Sequence, residues 1–427
     1  HRLDRTTTGV LIFGKSQESA KKYAEFFFDR KVKKTYQFVT ARLSAKNEFE
    51  IDSPILQKAK ELPAQTSFKK LKDKAGVSLW EAYPHTGRNH QIRIHAQIAG
   101  VPLLGDEKYN GATYPFICLH DRRIEFPNGI VIEAEPPAYF EDLEILGNVE
   151  LAKLVHEADR RERLFRMADD SQCFRLLQAR DEKDMSVDRF GKVIATENAN
   201  ANVERLAKMK SCTTSDLTWT AREQELVFEL VNESAPGLYL DQRLLRNWVK
   251  QNSFQKSVLN LFSYTCGFAL AAKAGGASSI ASVDKSKTAL ARGKRNFELN
   301  GFSLEAAKFM ASDSLDFLEL GVKKSFTHDL VICHVPSFHR REKGSFRIEK
   351  DLEMLVGMCL KSLSTNGQLL LLTNARQVFA ADLRRTIEKV IKESGLQNFK
   401  IEFILPSLDL ELVEESPNLK AFLVSKT

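Results

Sequence analysis

Apolar and polar positions change their rhythm along the 427-residue chain, and the changes divide it. In residues 1–150 the pattern is mixed. Val10–Gly14 is a short apolar run that reads as a strand, Glu18–Phe28 carries helical spacing, and Lys34–Thr40 alternates as a half-buried strand does. Ser78–Tyr83 predicts a further strand. Asn89–Ala99 predicts a helix with Ile92, Ala96 and Ala99 on its apolar side. Asp142–Arg166 is charged and helix-prone and reads as a connection. Phe174–Thr196 and Leu226–Leu230 then read as short strands around a helical piece, Ala201–Lys210.

From Leu238 the pattern becomes strict strand–helix alternation. Val258–Phe262, Ile280–Asp284, Ala307–Ala311, Asp329–His334 and Gln368–Asn374 are apolar strands. Phe268–Lys273, Lys287–Leu299, Ser314–Leu320 and Lys350–Leu363 are the helices between them. Short, continuously apolar strands separated by helices imply a parallel sheet covered on both faces. Phe399–Leu405 and Ala421–Ser425, joined by a long loop, add a hairpin-like pair and bring the strands to seven. The expected organisation is an α+β domain over 1–150, a small β-rich module over 160–235 and an α/β Rossmann-like domain over 236–427. Pattern alone does not separate that last domain from other Rossmann-like folds.

Composition narrows the class. The hydrophobic fraction is 43% and the charged fraction 28%, ordinary for a globular chain and incompatible with wholesale disorder or a fibrous protein. No apolar run approaches the ~18 residues of a membrane helix, and no basic-then-apolar leader opens the chain. The first residue is His1 rather than Met, so the sequence is expected to be cut at its N-terminus. Six cysteines lie far apart with no CxxC pair, which argues against a zinc knuckle or a disulfide framework and for a reducing, cytoplasmic setting. A net charge of +7 permits a nucleic-acid partner without demanding one. Two local basic runs stand out, Arg30–Lys34 and Lys69–Lys72.

Candidate chemistry opens the chain: His1-Arg2-Leu3-Asp4-Arg5-Thr6-Thr7-Thr8-Gly9. Thr86-Gly87-Arg88-Asn89-His90-Gln91-Ile92-Arg93-Ile94-His95 follows, then Gly100-Val101-Pro102-Leu103-Leu104-Gly105-Asp106 and Tyr109. An Asp in a polar turn needs a cation if it is buried, and Arg93, on an otherwise apolar segment, is the candidate. A structural ion pair would leave the same trace. His85, His90 and His95 recur every five residues, a spacing of ~140° on a helix that scatters them rather than forming a metal site.

Together with Lys34-Thr35-Tyr36, these blocks resemble the pseudouridine synthase family that modifies uridines in large-subunit rRNA and in tRNA. The resemblance covers most of residues 1–125, with Thr6 and Thr8 as mild departures. It implies that Asp4 is the catalytic aspartate, Arg93 the arginine paired with it, and Tyr36 the active-site tyrosine. It also implies an RNA substrate, a flipped-out uridine and no cofactor or metal.

A second constellation is Val258–Phe268, a strand, a turn with one glycine and a helix start. Asp284 ends the next strand and Asp313 follows the third. A βα turn offers backbone N–H groups, and an acid ending strand two can hold a ribose diol. These features, with Gly237–Arg243, Ser282–Ser286 and Pro336-Ser337-Phe338, resemble the rRNA methyltransferases that make 5-methylcytosine or N7-methylguanine in 23S rRNA. Gln178–Gly191 resembles the small β module preceding their catalytic domain. The resemblance covers residues 170–427. It implies S-adenosylmethionine bound around Phe262, Tyr264, Thr265 and Gly267, Asp284 on the ribose, Asp313 near the adenine, and His334 beside them.

There are two departures. His334-Val335-Pro336 stands where the family carries Asp-Pro-Pro. No cysteine lies in Leu372–Arg376, where the cytosine-5 members need a nucleophile. Thr373-Asn374-Ala375-Arg376 is closer to the N7-guanine members. An imidazole at position 334 would titrate near pH ~6.5 and make activity pH-dependent. The expectation is a fusion: a uridine isomerase joined to a domain that binds S-adenosylmethionine and either methylates rRNA or only delivers RNA.

Overall fold

The computed structural model describes residues 2–4, 6–57, 59–168, 171–177, 186–196, 200–214, 218–231, 236–340, 345–395, 399–404 and 419–426. His1, Arg5, the start of the Gln178–Gly191 segment, Leu405 and most of the loop before Ala421 lie outside them. Two compact units are formed, residues 1–159 and 160–427, with the boundary inside a helix, Val149–Ala168. The 160–235 segment therefore belongs to the same unit as the α/β domain. Among the described residues, no helix is long and apolar enough to cross a membrane.

The first unit is built on a mixed sheet. Its strands are β1 (Thr8–Gly9), β2 (Lys33–Thr40), β3 (Glu48–Asp52), β4 (Gln65–Lys74), β5 (Val77–Pro84), β6 (Leu119–Glu125) and β7 (Val131–Glu133). Their order is β1-β6-β2-β5-β4-β3, with β7 on β6. Helix α1 is Gln17–Phe28 and α2 is Gln91–Ile98. The core gathers Phe38, Phe68, Trp80 and Leu103 around α2 residues Ile92 and Ala96. The strand expected at Val10–Gly14 is not formed: pairing stops at Gly9, and Leu11 and Phe13 are 44% and 79% exposed. Apolarity alone misread that run, whose last backbone tie to β6 is the Val10 N–H donating to the Asp121 carbonyl. Of the basic run Lys69–Lys72, Lys70 pairs with Asp73 and Lys72 donates to the Glu141 carbonyl.

In the second unit, β8 (Cys173–Leu177), β9 (Val187–Phe190) and β10 (Val193–Ala195) form a small antiparallel sheet. Helix α3 (Ala201–Met209) and the hairpin β11 (Thr218–Glu223)–β12 (Leu226–Val231) complete the module. Phe190, Phe228 and Leu230 join the same apolar cluster as Phe268 and Leu270 of the α/β part, which is why the module is not a separate body.

Helix α4 (Arg243–Asn252) leads into the alternating part. This comprises β13 (Ser257–Leu261), α5 (Gly267–Ala274), β14 (Ser279–Asp284), α6 (Lys287–Leu299), β15 (Ala307–Ala311), α7 (Ser314–Lys323) and β16 (His328–His334). Then come α8 (Ile348–Lys361), β17 (Leu363–Thr373), α9 (Ala380–Glu393), β18 (Phe399–Phe403) and β19 (Lys420–Lys426). The sheet order is β15-β14-β13-β16-β17-β19-β18, parallel except for β19. Leu259, Val331, Leu369 and Leu371 are essentially inaccessible, as strands covered on both faces require. The order reverses between β13 and β16, and in such sheets ligands bind at the carboxyl ends of strands beside that reversal.

Candidate functional site

In the first unit, Asp4 lies in the turn before β1, closed by the Thr7 N–H donating to the Asp4 carbonyl at 2.9 Å. Arg93 comes from α2, and its Nη1 donates to Asp4 Oδ2 at 3.2 Å. Its principal partner is another residue. Nε and Nη2 donate to the two carboxylate oxygens of Asp106 at 2.7 Å each, and the Asp106 side chain is fully buried. A bidentate fork fixes the guanidinium in direction as well as in charge. Gly105 makes this possible: its φ is +85°, and a Cβ there would lie 1.9 Å from the Phe116 carbonyl oxygen. Only glycine lets the chain turn so closely and deliver Asp106.

His90, the N-terminal cap of α2, is left-handed at φ 56°. Its Nδ1 meets the Tyr109 hydroxyl at 2.8 Å, and its Nε2 lies 3.9 Å from Asp4. Burial lowers the His90 pKa, opposed by Asp4. The Arg93 guanidinium lies over the Tyr109 ring at 5.0 Å.

Tyr36, on β2, is 8% exposed, which leaves little ring face for stacking on a base. It stands opposite Asp121 of β6, and burial followed by the charges of Asp121 and Asp4 pushes its pKa well up. Asp4, Tyr36 and Arg93 are thus brought together. Sequence reasoning gave no role to Asp106 or Tyr109, although both stand in the quoted motif blocks, and it missed Asp121, hidden in the polar run Leu119–Glu125. His95 is structural, its Nδ1 meeting Thr66 Oγ1 at 2.9 Å and its Nε2 the Ser53 carbonyl at 3.0 Å.

In the second unit, the turn after β13 is held in an uncommon shape. Phe262, Tyr264 and Cys266 all have positive φ, at 51°, 48° and 62°. The turn is tied to its neighbours. The Phe262 N–H donates to Ser314 Oγ at 3.0 Å, the Tyr264 N–H to Asp284 Oδ2 at 2.8 Å, and Thr265 Oγ1 to the Gly237 carbonyl at 2.5 Å. Gly293 of α6 makes room for Cys266, whose Sγ would lie 2.6 Å from a Cβ at 293. Asp284 ends β14 and also accepts from the Ser286 N–H at 2.8 Å. Asp313 caps α7 through the Leu315 N–H at 2.9 Å and lies 4.0 Å from Lys285 Nζ. Gly267 starts α5. The residues assigned to the cofactor therefore cluster at the carboxyl ends of β13, β14 and β15.

His334 ends β16. Its Nδ1 accepts from the Gln242 side-chain amide at 3.1 Å, and its ring meets Tyr239 edge-on at 5.8 Å; Tyr239 in turn lies 5.5 Å from Tyr264. Burial pushes its pKa down to about 4. The titration near pH 6.5 expected from sequence is thus corrected: desolvation keeps this imidazole neutral throughout the physiological range. Nearby, Asn374 Nδ2 donates to Asp241 Oδ2 at 2.9 Å, and burial raises the Asp241 pKa. Tyr239, Asp241 and Gln242 come from the quoted Gly237–Arg243 block but carried no assigned role. Cys333 and Cys359 are buried in the core, and burial pushes the Cys333 thiol well up.

The donor set suits an adenosyl sulfonium cofactor: a carboxylate at the end of strand two, a capped carboxylate after strand three and a turn wrapped by left-handed residues. Among the described residues, no group of three or more His, Cys, Asp or Glu could hold a metal ion.

Two family models match the chain. One, described as S-adenosylmethionine-dependent methyltransferase, covers residues 207–424, and one described as RNA pseudouridylate synthase covers residues 1–97. The ribosomal RNA large subunit methyltransferase K/L of Shewanella sp. (strain MR-4) is 37% identical over 168 residues, 39% of this chain and 23% of that protein. The ribosomal RNA large subunit methyltransferase K of Neisseria meningitidis serogroup B is 35% identical over 169 residues, 38% of this chain and 48% of that protein. The chain thus spans about a quarter to a half of the length of these curated relatives. A solved structure assigned as an S-adenosylmethionine-dependent methyltransferase from Streptococcus mutans aligns with a TM-score of 0.56 at 22% identity, covering 65% of this chain and 81% of that one. At that identity the likeness is one of fold.

Proposed function

The chain belongs to the S-adenosylmethionine-dependent methyltransferase family through residues 207–424, and on that footing we propose that it modifies RNA at two centres. The first isomerises uridine to pseudouridine in rRNA or tRNA; the second binds S-adenosylmethionine and serves methylation of rRNA. The observation that carries the reading is the Asp4–Arg93 pair within the stretch that matches the pseudouridylate synthase model, with Asp106 just beyond that stretch holding the guanidinium. A cytoplasmic location follows from such substrates.

In the first centre, the Asp4 carboxylate acts at the ribose while the C1′–N1 bond is cut, either as nucleophile or as proton acceptor. Arg93, held by Asp106, aims that carboxylate. Tyr36 assists loss of the proton at carbon 5. The target uridine must leave its stack to reach Asp4.

In the second centre, Phe262, Tyr264, Thr265 and Gly267 wrap the cofactor, Asp284 takes its ribose diol and Asp313 lies by its adenine. S-adenosylmethionine supplies an electrophilic methyl group when bound. His334 acts on the acceptor side. Because its Nδ1 accepts from Gln242, its proton sits on Nε2, and it can donate one hydrogen bond to a base. It does not remove a proton as a carboxylate would. An acceptor that is already nucleophilic, such as guanine N7, therefore fits better than cytosine carbon 5. A second reading, a cofactor-binding module without methyl transfer, is favoured by His334 itself, which stands where the family carries Asp.

The test uses RNA from cells lacking the gene, the purified protein and tritiated S-adenosylmethionine, with nucleoside analysis of the product. Pseudouridine should form with or without the cofactor. Its absence would overturn the first assignment, and cofactor binding without methyl transfer would select the second reading for residues 207–424.

A further inference from the structure

Strand β6 carries an ionisable group that the reaction as described leaves idle. Asp121 is fully buried, and it sits directly opposite Tyr36 across the antiparallel β2–β6 pair. Residues directly opposite in such a pair project to the same face. The register slips at this point: Thr35 pairs with Arg123, but Tyr36 pairs with Asp121. Bulges of this kind re-aim side chains and are common beside active sites. Here the slip sets the buried Asp121 carboxylate opposite the buried Tyr36 phenol, where each shifts the other's pKa. The Asp4 charge is felt at that phenol too, which sets Tyr36 near the carboxylate that the synthase reading assigns to the ribose.

We propose, building on the pseudouridine synthase reading, that Asp121 is the final acceptor of the carbon 5 proton, reached through Tyr36. Carbon 5 has bonded to C1′ and still carries its hydrogen when the relay acts. Tyr36 oxygen takes that proton as its own passes to the Asp121 carboxylate. The C5–H electron pair becomes the C5–C6 double bond, the π pair of the C6=N1 double bond left when carbon 5 joined C1′ moves onto N1, and N1 takes a proton from water. Asp121 then returns its proton to solvent, and no net charge or redox change remains.

Tyr36 alone is poorly suited to this step, because its pKa is raised well above an ordinary phenol. Asp121 is better placed: burial pushes its pKa up to about 7, opposed by the neighbouring Tyr36 phenol and by Lys34. Lys34, also on β2, is a cation that faces it; burial lowers the Lys34 pKa and Asp121 raises it. A base with a pKa near the working pH is the efficient one for a proton transfer. The relay uses Asp121 as the anion, so turnover should climb as pH rises through 7 and level off above it. Asp121 acts through another residue and does not touch substrate, so it is a positioning and relay group.

The experiment measures tritium release from total RNA labelled with [5-³H]uridine and taken from cells lacking the gene. Wild type, Asp121→Asn and Tyr36→Phe are compared across pH 5.5–8.5, with thermal melting as the check on folding. Asp121→Asn, close in shape to the native side chain, should fold, keep its KM and lose ~10²-fold in kcat. It should also lose the rise through pH 7 and gain a larger isotope effect with 5-deuterated RNA. A folded Asp121→Asn with wild-type kcat would overturn the relay while leaving the synthase reading intact. So would a loss of kcat with the pH profile and isotope effect unchanged, which marks a merely structural role. No tritium release by wild type would overturn both readings together.

Discussion

The two units hold their functional groups by different means. In the first, charge is balanced by charge: one guanidinium serves Asp106 through two bonds of 2.7 Å and Asp4 through one of 3.2 Å. In the second, carboxylates are held by backbone. Asp284 accepts from the N–H groups of Tyr264 and Ser286, and Asp313 from that of Leu315. The contrast matches the two proposed tasks. A group that must react is aimed by an ion pair that can be broken at one point. A group that must bind is woven into turns that many residues share. Damage should therefore be concentrated in the first unit and diffuse in the second.

The sharpest break is Asp4→Asn. Turnover to pseudouridine should fall by ~10²–10⁴ or more, while RNA affinity, supplied mostly by phosphate contacts, stays near wild type. Single-turnover kinetics and filter binding on the same RNA measure the two effects.

Arg93→Ala comes next. It strands the fully buried Asp106 as well as Asp4, and an unpaired buried charge costs ~3–5 kcal/mol. Thermal melting should show the first unit losing its cooperative transition first. An unchanged midpoint would mean that the pair is solvated and contributes nothing to the fold.

A smaller effect distinguishes the second unit. The His334 pKa is pushed down to about 4 in the folded protein, against ~6.5 for an ordinary imidazole. Between those values the unfolded chain binds the proton and the folded one does not, so stability falls as pH drops from 6.5 towards 4. The loss should approach about 3 kcal/mol. His334→Gln should flatten that part of the melting-versus-pH curve, and neither protein should change between pH 7 and 8 on account of residue 334.

The smallest effect is expected for Asp284→Ala. One ribose contact is removed from a shared cradle, and calorimetry should show S-adenosylmethionine binding about tenfold weaker, close to ~1.5 kcal/mol. Loss of all binding would indicate that the turn itself depends on Asp284.

What could be read in the sequence followed the same division. Parallel strands buried on both faces are continuous apolar runs, so β13 and β16 fall within a residue or so of the expected spans, as do the less buried β14 and the edge strand β15. Helix α4 was hidden because Arg243 and Arg246 occupy its buried face; Arg246 forms two bonds of 2.6 Å to Glu223, and charged letters masked an inward stripe. Helix α9 had a plain stripe in Leu383, Ile387 and Val390, and nothing concealed it. Strands β4 and β6 escaped because they are rich in Lys, Asp and Arg, with burial confined to alternate or terminal positions. Of the sites, Asp4 and Arg93 stood in recognisable blocks, whereas the meeting of Tyr36 with Asp121 depends on a register slip that no local pattern records.

The most direct test of the account is a nucleotide-resolution pseudouridine map of cellular RNA from cells carrying the wild-type gene, the Asp4→Asn gene or no gene. The account predicts that a small, defined set of uridines is modified with wild type and unmodified in both other strains, although the Asp4→Asn protein is present at normal levels. Modification that persists in the Asp4→Asn strain but disappears in the deletion would contradict it, because the isomerisation would then depend on this protein and not on that carboxylate.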